Sequence, residues 1–203
     1  MSDLNENWKP EYGTIFTWFA QDKFGRIAVM INNCFGDLPK SLLRINNVEE
    51  WLDHTTDYMW EESDKYRDIP RDKLGTFSVD LFSFWRNGPE ITKESLQERL
   101  SAQFERIGRK SDINLIVNRG FFEYQAVEGS YEGEDYPVGY NGKTKMGDYY
   151  RHLVPSKYAS IEDFPDDLHH VICVSDIVDF TVDRVLESKK INKLFTRQYC
   201  SNW

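Results

Sequence analysis

The chain opens with two apolar segments joined by a turn. Residues 12–20 are rich in aromatic side chains, residues 26–32 are apolar almost throughout, and residues 21–25 have turn chemistry. Because apolar side chains alternate onto both faces of each segment, we expect a buried antiparallel hairpin covered on both sides. Residues 1–10 are mostly polar, so we predict a flexible N-terminal arm ahead of one domain spanning residues 11–203.

Helical periodicity dominates two later stretches. In residues 48–64 the apolar positions form one stripe, and Asn47 precedes them as a suitable N-cap residue. Residues 93–107 repeat the pattern and are followed by Gly108, a common helix stop. Pro39 also favours the start of a short helix. We therefore predict three helices in the first half of the chain.

Apolar segments elsewhere predict the strands. We place them at residues 76–85, 113–117, 121–127, 149–154 and 169–174. Turn residues 118–120 would make the second and third of these a hairpin. Residues 160–164 suit one helical turn, residues 177–186 fit a helix or a strand, and residues 195–203 suit a terminal helix. The whole pattern predicts a single α+β domain, with a mainly antiparallel sheet and helices packed against it.

The composition bounds the class of protein. The chain has 203 residues, of which 40% are hydrophobic and 15% aromatic, so it can bury a core without disulfides or metals. Its three cysteines are odd in number and far apart, which favours a reducing compartment and predicts a cytoplasmic protein. No apolar run approaches the roughly 20 residues that span a bilayer, so we expect no membrane association.

The net charge of −9 points to the kind of partner. An acidic protein repels the phosphates of nucleic acids and anionic lipids, so we predict neither as a partner. It attracts basic proteins instead. The simpler interpretation is that the charge serves solubility alone.

The acidic residues are not spread evenly. Residues 49–72 hold nine acids against three bases, and residues 128–135 hold four acids and no base. Aromatic residues lie beside both groups, and aromatic side chains are favoured anchors in protein interfaces. We therefore predict a surface that binds a basic protein, made of Glu49, Glu50, Asp53, Asp57, Trp60, Glu61, Glu62, Asp64, Glu128, Tyr131, Glu132, Glu134, Asp135 and Tyr136.

Motifs for catalysis and cofactor binding are absent from the sequence. It has no phosphate-binding glycine loop, no G-x-S-x-G, no C-x-x-C and no H-E-x-x-H. His169 and His170 lie near Cys173, but neighbouring strand residues point to opposite faces and cannot share an ion. Three aspartates form a further candidate cation site: Asp176, Asp179 and Asp183. If their segment is helical, they would share one face of the helix and could hold a cation. We predict no catalytic residue, no metal and no cofactor.

Two alternatives to a binding protein remain open. Residues 128–147 form a long glycine-containing segment, and long irregular loops are often functional. The first alternative is an enzyme with a cleft under this segment, lined by nearby histidines or carboxylates. The second is a structural or scaffold subunit, which would show a large apolar patch and a stable oligomer.

The opening hairpin resembles the start of small bacterial immunity-type proteins from contact-dependent and polymorphic toxin systems. The resemblance lies in residues 16–28 (FTWFAQDKFGRIA) and 36–39 (GDLP). In that group an aromatic strand, an Asp-x-x-Gly turn and an apolar strand lead to a Gly-x-x-Pro turn. The resemblance implies a cytoplasmic, non-enzymatic protein that binds and neutralises a cognate toxin. Together with the acidic charge, it predicts an immunity protein against a basic, nuclease-type toxin.

Overall fold

The computed structural model describes residues 4–66, 72–107 and 111–199, which form a single α+β domain as predicted. The strands are β1 (Thr17–Gln21), β2 (Ile27–Ile31), β3 (Phe77–Val79), β4 (Phe82–Ser83), β5 (Phe122–Ala126), β6 (Pro137–Val138), β7 (Tyr149–Pro155), β8 (Cys173–Val174), β9 (Val185–Leu186) and β10 (Arg197–Gln198). The helices are α1 (Lys40–Leu43), α2 (Val48–Trp60), α3 (Phe84–Asn87), α4 (Lys93–Ile107), α5 (Asp112–Arg119) and α6 (Ile191–Leu194).

A mainly antiparallel sheet of eight strands forms the centre of the domain. Its order is β10-β8-β1-β2-β5-β7-β3, with β9 also paired to β7. β1 and β2 form the predicted hairpin, in which Thr17 faces Ile31 and Gln21 faces Ile27. β5 runs parallel to β2, so the C-terminal ends of these two strands lie at the same end of the sheet. β4 and β6 form a separate two-stranded ribbon.

Both faces of β1 are covered, as its apolar pattern predicts. Phe19 packs edge-on against Phe164 at 4.9 Å between ring centroids, and Tyr58 of α2 packs on the other side of this cluster, at 4.8 Å from Phe164. Trp18 points the opposite way and packs against Phe195 at 5.4 Å. Successive strand residues therefore fill two layers, one under α2 and one under the C-terminal segment.

Residues 113–117 form part of α5, so the predicted strand is wrong. The Ser111 Oγ accepts a hydrogen bond from the Asn114 N–H at 3.2 Å, which caps the helix, and Gly120 ends it with φ +80°. The apolar side chains at 115–117 are all buried, so their burial does not follow the one-sided pattern of a surface helix. The predicted second hairpin is therefore absent, and β5 pairs with β2 and β7 instead.

Two other predicted strands are broken into smaller pieces. The first half of 169–174 belongs to a 3₁₀ helix, Asp166–Val171, which begins directly after Pro165 and leaves only β8 as strand. Residues 76–85 divide into β3, β4 and α3. The Asp80 and Leu81 N–H groups still donate to the His152 and Arg151 carbonyls of β7, and the chain then pairs with β6 through β4. A 3₁₀ turn, Ile161–Asp163, confirms the predicted helical turn.

The remaining differences lie at the ends of elements and of the chain. α2 ends at Trp60, and residues 177–184 form turns that lead into β9. α6 ends just before the terminal helix that we predicted at 195–203, and the described part of that range contains β10 and no helix. Trp203 and Gly108 lie outside the described residues. In the expected N-terminal arm, Leu4 is buried and Trp8 packs against the core. No helix in the described part of the chain is long and apolar enough to cross a bilayer.

Candidate binding surface

α2 carries a row of carboxylates on its outer side. Glu50, Asp53 and Asp57 are three and four residues apart, so they share one helical face, while Leu52 and Met59 are buried against the core. Glu49 lies next to this row and is half-buried. Among the described residues, no basic group comes within ion-pair distance of these four carboxylates. We call Glu49, Glu50, Asp53 and Asp57 the α2 acidic row.

The start of α2 gives part of this row a structural role. Asn47 occupies the N-cap position, but its Nδ2 donates to the Glu50 Oε2 at 3.4 Å and its side chain caps no backbone N–H. Glu49 and Glu50 lie in the first turn, where negative charge interacts favourably with the helix dipole. Asp53 and Asp57 lie beyond the first turn, so the dipole does not account for them.

The C-terminal end of α2 is built around a buried guanidinium. Arg119 is 2% exposed, stacks over the Tyr58 ring at 4.3 Å and donates to the Glu61 Oε1 at 3.4 Å. Glu61 is therefore held by an internal partner. Glu62 and Asp64 are exposed. The nearby Lys65 forms an ion pair with Asp167 at 2.6 Å. Trp60 is half-buried and packs against the core.

The second predicted acidic group is largely occupied by contacts within the chain. Asp135 is 2% exposed and accepts hydrogen bonds from the Ser83 hydroxyl at 2.8 Å and the Trp85 N–H at 3.0 Å. Glu134 accepts the N–H of Ser130, and Glu128 pairs with an arginine described below. Asp135 stabilises the loop rather than contacting solvent, so we leave it out of the proposed surface.

Exposed side chains remain on the same loop. Tyr131 is 65% exposed and Glu132 is also exposed. Tyr136 is 45% exposed and stacks on Phe84 at 4.7 Å, so one of its faces is already covered. These side chains are available to a partner.

The two acidic groups lie at opposite ends of β5. Glu61 contacts Arg119, which precedes the strand, and Glu128 follows it. β5 itself has five residues, or roughly 16 Å at about 3.3 Å per residue, and Arg119 and Glu128 lie beyond its two ends. The fourteen predicted residues therefore do not form one continuous patch, and the C-terminal end of α2 is remote from the 128–135 loop.

A cavity of about 770 Å³ lies at the C-terminal ends of β2 and β5. Its walls come from three loop segments, 12–15, 33–35 and 128–130, together with Trp85 of α3. We call it the β2–β5 cavity. Cys34 and Glu128 line it, and no histidine does among the described residues. The sequence did not indicate this cavity, because its walls are far apart along the chain.

A strained turn forms one wall of the β2–β5 cavity. The Phe35 N–H donates to the Asn32 carbonyl at 2.9 Å, and Asn33 and Cys34 between them have φ +45° and +69°. Two consecutive left-handed residues are typical of a type I′ turn, where glycine is the usual second residue. A left-handed non-glycine residue costs about 1–2 kcal/mol, so the surrounding contacts must hold this turn in place.

Arg86 provides those contacts from beneath the turn. It donates to the Asn33 Oδ1 at 3.2 Å and to Glu128, while the Asn33 Nδ2 donates to the Ala126 carbonyl at 2.8 Å. Burial opposes the charge of Arg86, but the Glu128 carboxylate outweighs it, and the pKa of Arg86 is raised. The turn after β2 and the loop after β5 are thus tied together through one guanidinium.

His152, His169 and Cys173 take structural positions. The His169 Nε2 lies 3.1 Å from the Phe164 carbonyl oxygen, and the His152 Nδ1 lies 2.8 Å from that of Leu81. Burial raises the pKa of the Cys173 thiol to about 12, although a hydrogen bond with Ser41 acts in the opposite direction.

No group of three metal-ligand side chains occurs within the described ranges. Asp176, Asp179 and Asp183 lie in turns and not on a helix. Asp176 pairs with Arg197 and Asp179 pairs with Arg26, at 2.7 and 2.9 Å. The cation site at these three acids depended on a helix in this segment, and that helix is absent.

Comparison of the chain with protein-family models, with curated proteins and with solved structures gives no match. The resemblance of the opening hairpin to immunity-type proteins therefore stays a prediction, and no residue role comes from a relative.

Proposed function

We propose that this protein binds a basic protein partner, and that it acts in the cytoplasm as an immunity protein that neutralises a cognate toxin, of a basic nuclease type. The observation that carries this proposal is the α2 acidic row. Its four carboxylates share the outer part of one helix and have no basic group within ion-pair distance in the described chain. The hairpin resemblance supports the same class of protein.

The row stands out because many other acids have donors within the chain. Those with hydrogen bonds or ion pairs to other parts of the fold include Asp22, Asp80, Asp135, Asp148, Asp163 and Asp179. Glu49 and Glu50 interact favourably with the helix dipole, but Asp53 and Asp57 add to the folded state only solubility and repulsion between acids of the row. Facing a basic protein, the same row steers association and can raise its rate by about 10- to 1,000-fold at low salt.

The test uses the C-terminal domain encoded by the adjoining upstream reading frame as the partner. We expect co-expression of this protein to rescue cells from that domain. We also expect the triple variant Glu50→Lys, Asp53→Lys, Asp57→Lys to slow association at least tenfold at low salt, because the steering charge is reversed. Stopped-flow or surface-based kinetics over a salt series would measure this. Glu61 is unsuitable for the test, since reversing it would disturb Arg119.

The matched control reverses three exposed acids of α4, Glu94, Glu98 and Glu105. It changes the net charge by the same amount on another helix, so a general charge effect would slow both variants equally. Equal slowing of the two triple variants would contradict a role for the α2 acidic row. If the unaltered protein neither binds the toxin domain nor rescues the cells, the immunity proposal is wrong.

One observation favours an enzyme as a second candidate: Cys34 sits on a strained turn beside a cavity, and strain often accompanies function. The same rescue assay separates the two. A binding protein with Cys34→Ser should still bind and protect, whereas loss of protection with binding retained would favour chemistry at Cys34.

A further inference from the structure

The rim of the β2–β5 cavity is apolar and open to solvent. Tyr12 is 92% exposed, Ile15 is 61% exposed and Trp85 is 50% exposed, and all three line the same cavity. Single exposed apolar side chains are ordinary, but a group of them around a concavity is typical of binding sites. Tryptophan and tyrosine are also the residues that most often anchor a partner at the centre of an interface.

The interior of the cavity carries one kind of charge. Glu128 is the one charged side chain among the described lining residues, and it is 12% exposed. Its carboxylate bonds to Arg86, but a carboxylate has about four acceptor positions, so capacity for a second donor remains. Arg86 offsets one negative charge, but the carboxylates of both Glu128 and the buried Asp135 lie close enough to act on it, so one net negative charge remains beside the cavity. The charge complement of this cavity is therefore a cation.

Of the cationic side chains, arginine fits these walls best. Its planar guanidinium stacks on aromatic rings, binds carboxylates through paired N–H donors, and is more weakly hydrated than the ammonium of lysine. Its three-carbon stem suits an apolar rim such as Ile15. The volume of about 770 Å³ exceeds that of one side chain, so the residues flanking the arginine also have room.

We propose that the β2–β5 cavity receives an arginine of the partner protein, with its stem along Trp85 and Ile15 and its guanidinium at Glu128. This rests on the proposed function and names the contact that fixes the partner once the acidic surface has attracted it. The steering row on α2 and the anchoring cavity are separate regions. Steering acts on the association rate, and the anchor acts on the dissociation rate.

The test uses a capped peptide in which one arginine is flanked by leucines, and a twin in which citrulline replaces the arginine. Citrulline keeps the shape and loses the charge. We expect the arginine peptide to shift the NMR signal of the Trp85 indole N–H saturably in the millimolar range, and the twin to bind at least tenfold more weakly. Trp85→Phe assigns the signal.

Variants then locate the contact. Glu128→Gln should weaken binding of the arginine peptide about tenfold and leave the citrulline peptide unchanged. Because this change also affects Arg86, Trp85→Ala serves as the second variant, and its binding is followed through the backbone amide signal of Gly129, another lining residue. The Trp85 side chain is half-exposed, so the fold should tolerate its loss, and binding should fall as well. Glu90→Gln, at an exposed acid outside the lining, is the control and should have no effect.

Equal binding of the two peptides, or no saturable binding of either, would overturn the proposal. A Trp85 signal that shifts with protein concentration alone would also overturn it, because the occupant would then be a second copy of the chain. A co-purified small molecule that stays bound in native mass spectrometry would overturn it as well. If the peptides fail but the α2 variant still slows toxin association, only the arginine site is wrong. If the arginine peptide binds and the adjoining toxin domain does not, the site stands and the immunity function falls.

Discussion

At the residue scale, one buried carboxylate holds two arginines at the edge of the central sheet. Asp80 is 9% exposed and bonds to the Arg151 Nε and the Arg184 Nη2, each at 2.7 Å. Burial alone would raise the pKa of Asp80. The two guanidiniums outweigh burial, and the pKa lies below its usual value. This cluster fixes the point where the chain leaves β3.

Asp80→Asn should destabilise the protein by about 3–5 kcal/mol at pH 7, because it leaves Arg151 with an uncompensated charge. The folded-state pKa is lowered, so the contribution of Asp80 is complete above the unfolded pKa and is lost as pH falls through the folded value. The difference in the free energy of unfolding between the variant and the parent protein should therefore shrink below about pH 4. Urea unfolding at pH 7 and in acid measures it.

The control for this prediction is Asp176→Asn, which removes an exposed ion pair with Arg197. We expect little change from it, since exposed pairs contribute little. A loss for Asp80→Asn that is the same at both pH values would show that lost packing, and not charge, is responsible.

The strained turn shows the limit of prediction from sequence at this scale. Asn-Asn at 32–33 is compatible with a left-handed turn, but Cys34 takes the position where glycine is preferred. The turn is held through its neighbour Asn33, which bonds to Arg86; Arg86 lies in α3 and also reaches Glu128 beyond β5. No local pattern contains that information, so neither the turn nor the cavity could be predicted.

At the element scale, periodicity located the long elements and missed the short ones. β1, β2, β5, β7 and α4 have enough residues for a pattern to repeat, and their predicted positions are confirmed. The two-residue strands β4, β6, β8, β9 and β10 have no period to detect. Residues 113–117 of α5 were predicted as a strand because they form a short apolar segment next to the turn residues 118–120, and the structure shows a helix with Ser111 and Gly120 at its two ends.

The edge strand β3 is covered by a side chain that imitates a neighbouring strand. The Gln97 Oε1 accepts the Val79 N–H at 2.6 Å, and its Nε2 donates to the Phe77 carbonyl at 3.4 Å. Open edges are sites of aggregation, and natural proteins usually cover them. One amide of α4 therefore satisfies a donor and an acceptor of β3 that would otherwise face solvent or another chain.

Gln97→Ala should lower stability by about 1–2 kcal/mol, since each hydrogen bond contributes about 0.5–1.5 kcal/mol. It should also speed hydrogen exchange at the Val79 amide and increase self-association, measured by NMR and sedimentation. Gln103→Ala, on the same helix, is the control. Unchanged exchange at Val79 would show that Gln97 does not protect the edge.

At the scale of the whole molecule, the acidic charge is divided by function. Part of it is built into the fold through Asp22, Asp80 and Asp135, and part of it is left free on α2. The net charge of −9 was evident from the sequence, but this division was not. It depends on which loops meet in three dimensions, and the sequence alone left open whether the two acidic groups form one face.

The continuity of the sheet can be tested through Cys173. This residue is fully buried, pairs with Ala20 of β1 on one side and Gln198 of β10 on the other, and its raised pKa keeps the reactive thiolate scarce. In a background of Cys34→Ser and Cys200→Ser, a thiol reagent should reach Cys173 only when the sheet opens.

We expect labelling at least about a thousandfold slower than for the unfolded protein, because ordinary domains are stable by about 5–15 kcal/mol. The rate should rise steeply with urea, with the same dependence as global unfolding. Mass spectrometry over a urea series measures the rate, and Asp80→Asn should raise its logarithm in proportion to the loss of stability. Labelling that does not depend on urea would mean that β10 detaches locally from β8, and that the sheet does not unfold as one unit.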